Sequence, residues 1–179
     1  RAAELVKQGA LKETFDAHAE VETGPSFPNG CHVAEVEVDP GTGEVEVVAY
    51  TAVCDSGNVL DTTILKGQVH GGVIQGLAQA LFEEAVYDTD GNLKTTTLAE
   101  YLVPAASDVP SITTAHTVTP SPTNQLGVKG IGEAGTIGAA STVINAVVDA
   151  LSGIGVTSMP MPASPQTVWR AIQSAAQAK

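Results

Sequence analysis

The sequence predicts an α+β fold in which β-hairpins and about three helices pack on a mixed sheet. Two observations carry this expectation. Runs of alternating side chains joined by a tight turn lie between Cys31 and Cys54, and apolar residues recur at helical spacing in three separate stretches. A third observation narrows it: strands and helices do not alternate regularly along the chain, which argues against a doubly wound sheet.

Residues 4–22 mix charged and apolar positions without a firm period, and 23-TGPSFPNG-30 is a run of turn formers. Residues 1–29 therefore read as a poorly ordered or linking segment. From Cys31 to Val38 the side chains alternate; after the turn 39-DPGTGE-44 the segment 45-VEVVAYTAVC-54 continues, which predicts a hairpin. Between Leu65 and Glu84, Val69, Val73, Leu77, Ala80 and Leu81 recur at intervals of three and four, the period of a long helix. That helix carries Gly67, Gly71, Gly72 and Gly76, each costing up to about 1 kcal/mol relative to alanine, so something must approach its backbone closely.

The turn 88-DTDGN-92 between Val86-Tyr87 and 93-LKTTTL-98 predicts a second hairpin. Residues 103-VPAASDVP-110 read as loop, and 111-SITTAHTVT-119 as a strand ended by 120-PSPTN-124. Over residues 137–151 a helical period places Ile137, Ala140, Ile144, Val147 and Leu151 on one face. Ser164 as N-cap and Pro165 at the first helical position open a last helix through Val168, Ala171, Ile172 and Ala175.

With 179 residues, 43% of them hydrophobic and 16% charged, the chain reads as a single domain over 1–179. Eight lysines and arginines against 20 acidic residues give a net charge of −12, which excludes an electrostatic footprint for nucleic acid or anionic lipid. Apolar runs such as 143-VINAVV-148 fall short of the roughly 18 to 20 residues that span a bilayer, so no membrane span is expected. Cys31 and Cys54 have neither CxxC spacing nor the density of a disulfide scaffold; both read as packing residues in a reduced, cytoplasmic setting.

Chemistry concentrates in two stretches. In 127-GVKGIGEAGTIGAA-140 five glycines free the backbone to approach a ligand, and a helix beginning near Thr136 directs unpaired N–H groups at the loop. Lys129 is the nearby cation, and Glu133 the one carboxylate between Asp108 and Asp149. Such a glutamate can serve as a base, or it can cap a helix and complement its dipole; composition alone favours the cap. A Walker motif is excluded because the lysine precedes the glycine. In 67-GQVHGGVIQG-76, Gln68 can present an amide to a heterocycle, Gln75 reads as an exposed polar residue, and His70 has no companion at ligand spacing.

Together these stretches resemble the large subunits of the xanthine dehydrogenase, aldehyde oxidase and carbon monoxide dehydrogenase family of molybdenum hydroxylases. The likeness extends through 27-FPNGCHVAEVEVDPGTGEVEVV-48, 55-DSG-57, 67-GQVHGGVIQGLAQALFEE-84, 100-EYLVPAASDVP-110, 127-GVKGIGEAGTIGA-139 and 160-PMPASPQTVWRAI-172. Two departures stand out: Asp61-Thr62 where relatives usually carry Asn-Pro, and Glu100-Tyr101 where Asp-Tyr is common.

The resemblance implies a carboxy-terminal, molybdopterin-binding fragment of a longer large subunit, inactive by itself. It implies an oxidoreductase acting on a small carbonyl, heterocyclic or CO-like substrate with oxygen from water. Glu133 becomes the catalytic base, Gln68 a pterin contact, and Lys129, Gly130 and Gly132 residues that line the cofactor. That cofactor is molybdenum on molybdopterin in its cytosine dinucleotide form. FAD and iron–sulfur clusters sit on partner subunits or domains, and no metal ligand is supplied by this chain. The competing reading is a non-catalytic assembly module, or one that binds a phosphate ligand, in which Glu133 only caps a helix.

Overall fold

Each hydrophobic pattern in the sequence has to find an apolar partner, and one layer of helices on one face of a short sheet provides it. The computed structural model describes residues 1–10, 17–22 and 24–177. Its elements are α1 (Ala2–Lys7), β1 (Asn29–Val38), β2 (Val45–Asp55), α2 (Thr62–Leu81), β3 (Ile112–Thr117), α3 (Ala134–Ser152) and α4 (Pro165–Gln177). Six residues are too few to display a helical period, which is why α1 goes unseen in the sequence.

The first hairpin forms as expected, with β1 antiparallel to β2 and Ala34 opposite Tyr50. The Asp39 carboxylate accepts the Gly41 N–H at 2.7 Å, and Gly43 adopts φ +77°, closing the turn in a conformation that favours glycine. The ladder shifts register between Glu35 and Val36. β3 joins the other edge of β2 in parallel, with Asp55 opposite Thr117, so the sheet is mixed and its order is β1-β2-β3.

The second predicted hairpin does not form: a single bridge, Tyr87 to Leu93, is all that remains of it. Local side chains take the backbone groups a ladder would need. The Asp88 carboxylate accepts the N–H groups of Asp90 and Asn92, the Glu100 carboxylate accepts the Thr96 N–H, and the Thr95 hydroxyl accepts that of Val86. Such bonds compete with strand pairing.

The core joins Tyr50, Ala52 and Cys54 of β2 with Val69, Val73 and Leu77 of α2, Ala139, Val143 and Val147 of α3, and Val168 of α4. Each fully buried aliphatic side chain of this set contributes roughly 1.5 to 3 kcal/mol. The α2 stripe is the predicted one. In α3 the buried stripe is Gly135, Ala139, Val143, Val147 and Leu151, and Ile137, expected inside, is 71% exposed. Small residues face α2 because the two helices touch backbone to backbone. By length and composition α3 is apolar enough to cross a bilayer, contrary to the expectation from short apolar runs; here its stripe is buried in the core. Cys54 is buried as expected, whereas Cys31 is exposed, and both thiols are free.

Candidate functional site

The two glycine-rich segments, more than fifty residues apart in sequence, meet where α2 crosses the start of α3. A methyl group placed on Gly135 would stand 2.7 Å from the Val69 carbonyl oxygen, and one on Gly72 would stand 2.9 Å from the Gly135 Cα. No side chain larger than hydrogen fits either position. The Thr136 hydroxyl donates to the Gly72 carbonyl at 3.1 Å and pins the crossing. One turn later Gly76 faces Ala139 in the same way.

The glycines of α2 thus divide into two sets. Gly72 and Gly76 admit α3, whereas a methyl on Gly67 or Gly71 would meet no atom within 4 Å. Helical spacing puts Ile64, Gly67, Gln68, Gly71 and Gln75 on one flank, and all five are exposed. Gly130 and Gly132 are likewise exposed with no neighbour within 4 Å of an added methyl. An open, flat, glycine-lined surface beside two helix starts suits a planar group with an anionic tail, so the residues present fit the cofactor implied by the resemblance.

Glu133 is exposed at the position before α3, immediately ahead of the helix crossing. Its carbonyl accepts the Ile137 N–H at 3.0 Å, and its side chain makes no capping hydrogen bond. Of the capping alternative, the hydrogen bond is absent, while the N-cap position beside the helix dipole is occupied. Asp61, one of the sequence departures, is the residue that caps: its carboxylate accepts the N–H groups of Thr63 at 2.8 Å and Ile64 at 3.0 Å at the start of α2. Gln75 is exposed as expected, with Oε1 3.5 Å from the Thr136 hydroxyl. The His70 Nε2 is buried without a hydrogen-bond partner.

Lys129 takes a different place from the one its sequence neighbourhood suggests. Its Nζ lies 3.1 Å from Asp55 Oδ1, and its side chain is only 11% exposed. The ammonium is turned into the protein, away from the open flank, and the backbone N–H donates to the Ser56 carbonyl at 2.8 Å. Asp55, which sequence reasoning met only as part of the DSG turn, accepts from Gly57 N–H, Thr119 N–H and the Thr117 hydroxyl as well. Hydrogen bonds from Thr119 and the Gly57 backbone, with Lys129 alongside, hold its carboxyl well below the usual carboxylate range. The signal that could have found it is an aspartate closing a strand whose preceding eight residues, 47-VVAYTAVC-54, carry no charge.

Behind the site, His32 of β1 packs its ring on Gly138 of α3 and its Nδ1 pairs with the Tyr50 hydroxyl at 2.8 Å. Burial pushes the Tyr50 phenol up to about 12 and the His32 imidazole down. At the far end of the sheet a groove of about 590 Å³ is walled by Glu37, Asp39, Glu44, Glu46 and Asp108. Five carboxylates make it hostile to an anionic cofactor. Among the described residues no three His, Cys, Asp or Glu side chains gather as a metal cluster.

A profile of the molybdopterin cofactor-binding domain matches residues 2–110. The nicotine 6-hydroxylase large subunit of Paenarthrobacter nicotinovorans is 45% identical over 82% of this chain and 18% of its own length. The carbon monoxide dehydrogenase large chain of Hydrogenophaga pseudoflava is 38% identical over 83% of this chain and 18% of its own. Quinoline 2-oxidoreductase from Pseudomonas putida 86 superposes with a TM-score of 0.78 at 41% identity, covering 82% of this chain and 19% of that one. The chain spans less than a fifth of the length of these relatives. It belongs to the molybdopterin cofactor-binding domain family found in the large subunits of molybdenum hydroxylases.

Proposed function

We propose that this chain is the carboxy-terminal part of a molybdenum hydroxylase large subunit, that it covers one side of the molybdopterin cofactor, and that it supplies the catalytic base, Glu133. The single observation that supports the reading is the Gly72–Gly135 crossing, which brings the start of α3, and with it the exposed Glu133, to the helix that carries Gln68. Gln68 presents its amide to the pterin, and Gly130 and Gly132 let the cofactor lie against the loop backbone. Lys129, expected among the lining residues, contributes from behind by fixing that loop.

When bound, the molybdenum cofactor supplies the two-electron acceptor for the reaction. The Glu133 carboxylate takes the proton released as water-derived oxygen bonds to the substrate carbon. Small carbonyl, heterocyclic or CO-like compounds are the substrate class, in keeping with the nicotine and carbon monoxide enzymes among the relatives. The cofactor is the cytosine dinucleotide form, the compartment is the cytoplasm, and electrons leave through iron–sulfur and FAD partners. The remainder of the large subunit closes the site, and exposed Leu60, Ile64 and Ile137 are apolar surface for it to cover.

In the assembled enzyme, Glu133→Gln lowers turnover by several orders of magnitude at unchanged molybdenum content; near-normal turnover removes Glu133 from its role. Gln68→Ala loosens the cofactor, read as molybdenum lost on gel filtration, and full retention rejects that contact.

A further inference from the structure

The geometry points to Asp55 as a positioning residue for the reaction, acting through a latch in which it grips Lys129 and thereby fixes the loop that carries Glu133. This inference rests on the assignment of Glu133 proposed above. Asp55 is the last residue of β2 and is 2% exposed. Its two carboxylate oxygens gather four donors: the N–H of Gly57 at 2.9 Å, the N–H of Thr119 at 3.2 Å, the hydroxyl of Thr117 at 3.0 Å and the ammonium of Lys129 at 3.1 Å. The donors come from the turn after β2, the end of β3 and the glycine loop, so three segments converge on one buried charge.

Around that charge the glycine loop is tied down most densely on its amino-terminal side. Gly57 bridges to Val128, the Asn58 N–H donates to the Gly127 carbonyl at 3.0 Å, and the Lys129 N–H donates to Ser56. Asn124 clamps Val128 through both its backbone groups. Beyond Lys129, Gly130 and Gly132 have no atom within 4 Å of an added methyl. The next anchors are Ile131, partly buried against the core with its carbonyl accepting the Ala134 N–H at 3.3 Å, and the α3 crossing at Gly135. Glu133 thus sits between the Asp55–Lys129 pair, which fixes where the loop leaves the sheet, and the anchors at Ile131 and Gly135, and loss of the pair lets its carboxylate shift. A misplacement of about 1 Å is enough to cost on the order of a hundredfold in rate.

Both charges of the pair are mostly withdrawn from water, and breaking one side leaves the other unmatched in a place it cannot easily be hydrated. Asp55→Asn keeps an oxygen acceptor for the Gly57 and Thr119 N–H groups, removes the negative charge that pairs with the ammonium, and turns the group facing the Thr117 hydroxyl into a donor to which that hydroxyl can rotate, so it weakens the latch while sparing the main-chain bonds that shape the turn.

The test uses the complete large subunit in its assembled enzyme, with trace acetylation by acetic anhydride read by mass spectrometry at Lys129. Asp55→Asn is expected to speed acetylation of Lys129 at least tenfold. It is also expected to lower kcat per bound molybdenum at least tenfold, with KM and molybdenum content within twofold of wild type. A merely structural role would reduce the yield of enzyme and leave kcat per molybdenum unchanged. Equal labelling of Lys129 in wild type and variant overturns the latch. So does a kcat per molybdenum within twofold of wild type while Glu133→Gln is inactive. If Glu133→Gln itself turns over normally, the base assignment fails, and the latch is then decided by the labelling alone. Should Asp55→Asn fail to assemble, Asp55→Asn with Lys129→Met leaves no orphaned charge. A tenfold loss of kcat per molybdenum in that double variant supports the positioning role, and wild-type turnover rejects it.

Discussion

The two flanks of α2 carry the same residue for opposite reasons. On one flank Gly72 and Gly76 are small because α3 leaves room for nothing else; on the other Gly67 and Gly71 face empty space. A sequence shows four glycines in one helix and a single question, what approaches the backbone. The structure answers it within the chain at Gly72 and Gly76, and shows open space at Gly67 and Gly71, the flank on which the proposed function puts the cofactor. What separates them is the atom an added methyl would meet, and that depends on a partner helix more than sixty residues away.

The sharpest way to break this comparison is to add that methyl on each flank in turn. Gly72→Ala forces backbone against backbone and is expected to destabilise the fold by about 1 to 3 kcal/mol, measured by chemical denaturation. Gly138→Ala drives a methyl into the His32 ring, which is able to give way, so the expected loss is smaller, about 1 kcal/mol, together with weakening of the His32–Tyr50 bond. Gly71→Ala on the open flank reverses the sign: stability rises by up to about 1 kcal/mol through helix propensity, while cofactor retention in the assembled enzyme falls. A destabilised Gly71→Ala, or one that keeps its full molybdenum content, would erase the distinction between the flanks.

The smallest effect is a pH dependence. Burial holds the folded-state His32 below its ordinary 6.5, so the unfolded chain binds the proton more readily. Stability on this account is complete above pH 6.5 and is lost as the pH falls below it, and His32→Gln should flatten the slope of denaturation midpoints between pH 6.5 and 5. Asp55 adds a second loss further down: its lowered carboxyl stabilises the fold above the ordinary 3.8, and that support fades as the pH drops towards its depressed value. Asp55→Asn should remove only this second, more acidic step.

Patterns confined to one stretch of chain were legible in the sequence. The Cys31–Cys54 hairpin, the α2 stripe and the Ser164-Pro165 opening of α4 all follow from side-chain period or cap chemistry; the Ser164 hydroxyl accepts the Thr167 N–H as an N-cap should. What failed depended on side-chain bonds that periodicity does not register, or on a partner distant in the chain. The threonine-rich run at 93–98 has the composition of a strand, yet its own hydroxyls and the Asp88 and Glu100 carboxylates satisfy the backbone first. Ile137 was placed inside by period, and the demand for small residues at the α2 crossing turned it outward. Glu133 and Gln68 stood out because they sit within glycine-rich segments. Asp55 did not, because three of the four donors it gathers lie 62 to 74 positions away.

That separation makes the glutamate loop depend on the sheet. A carboxylate that gathers Thr117, Thr119 and Lys129 closes three long loops at once, and the entropy of closing them must be met before any of those bonds is made. The bonds to Thr117 and Thr119 require the parallel strand to be docked, and the bond to Lys129 gives the glutamate loop its fixed starting point. The position of the Glu133 loop is therefore tied to the pairing of β2 with β3, and anything that loosens that parallel edge reaches the loop through Asp55.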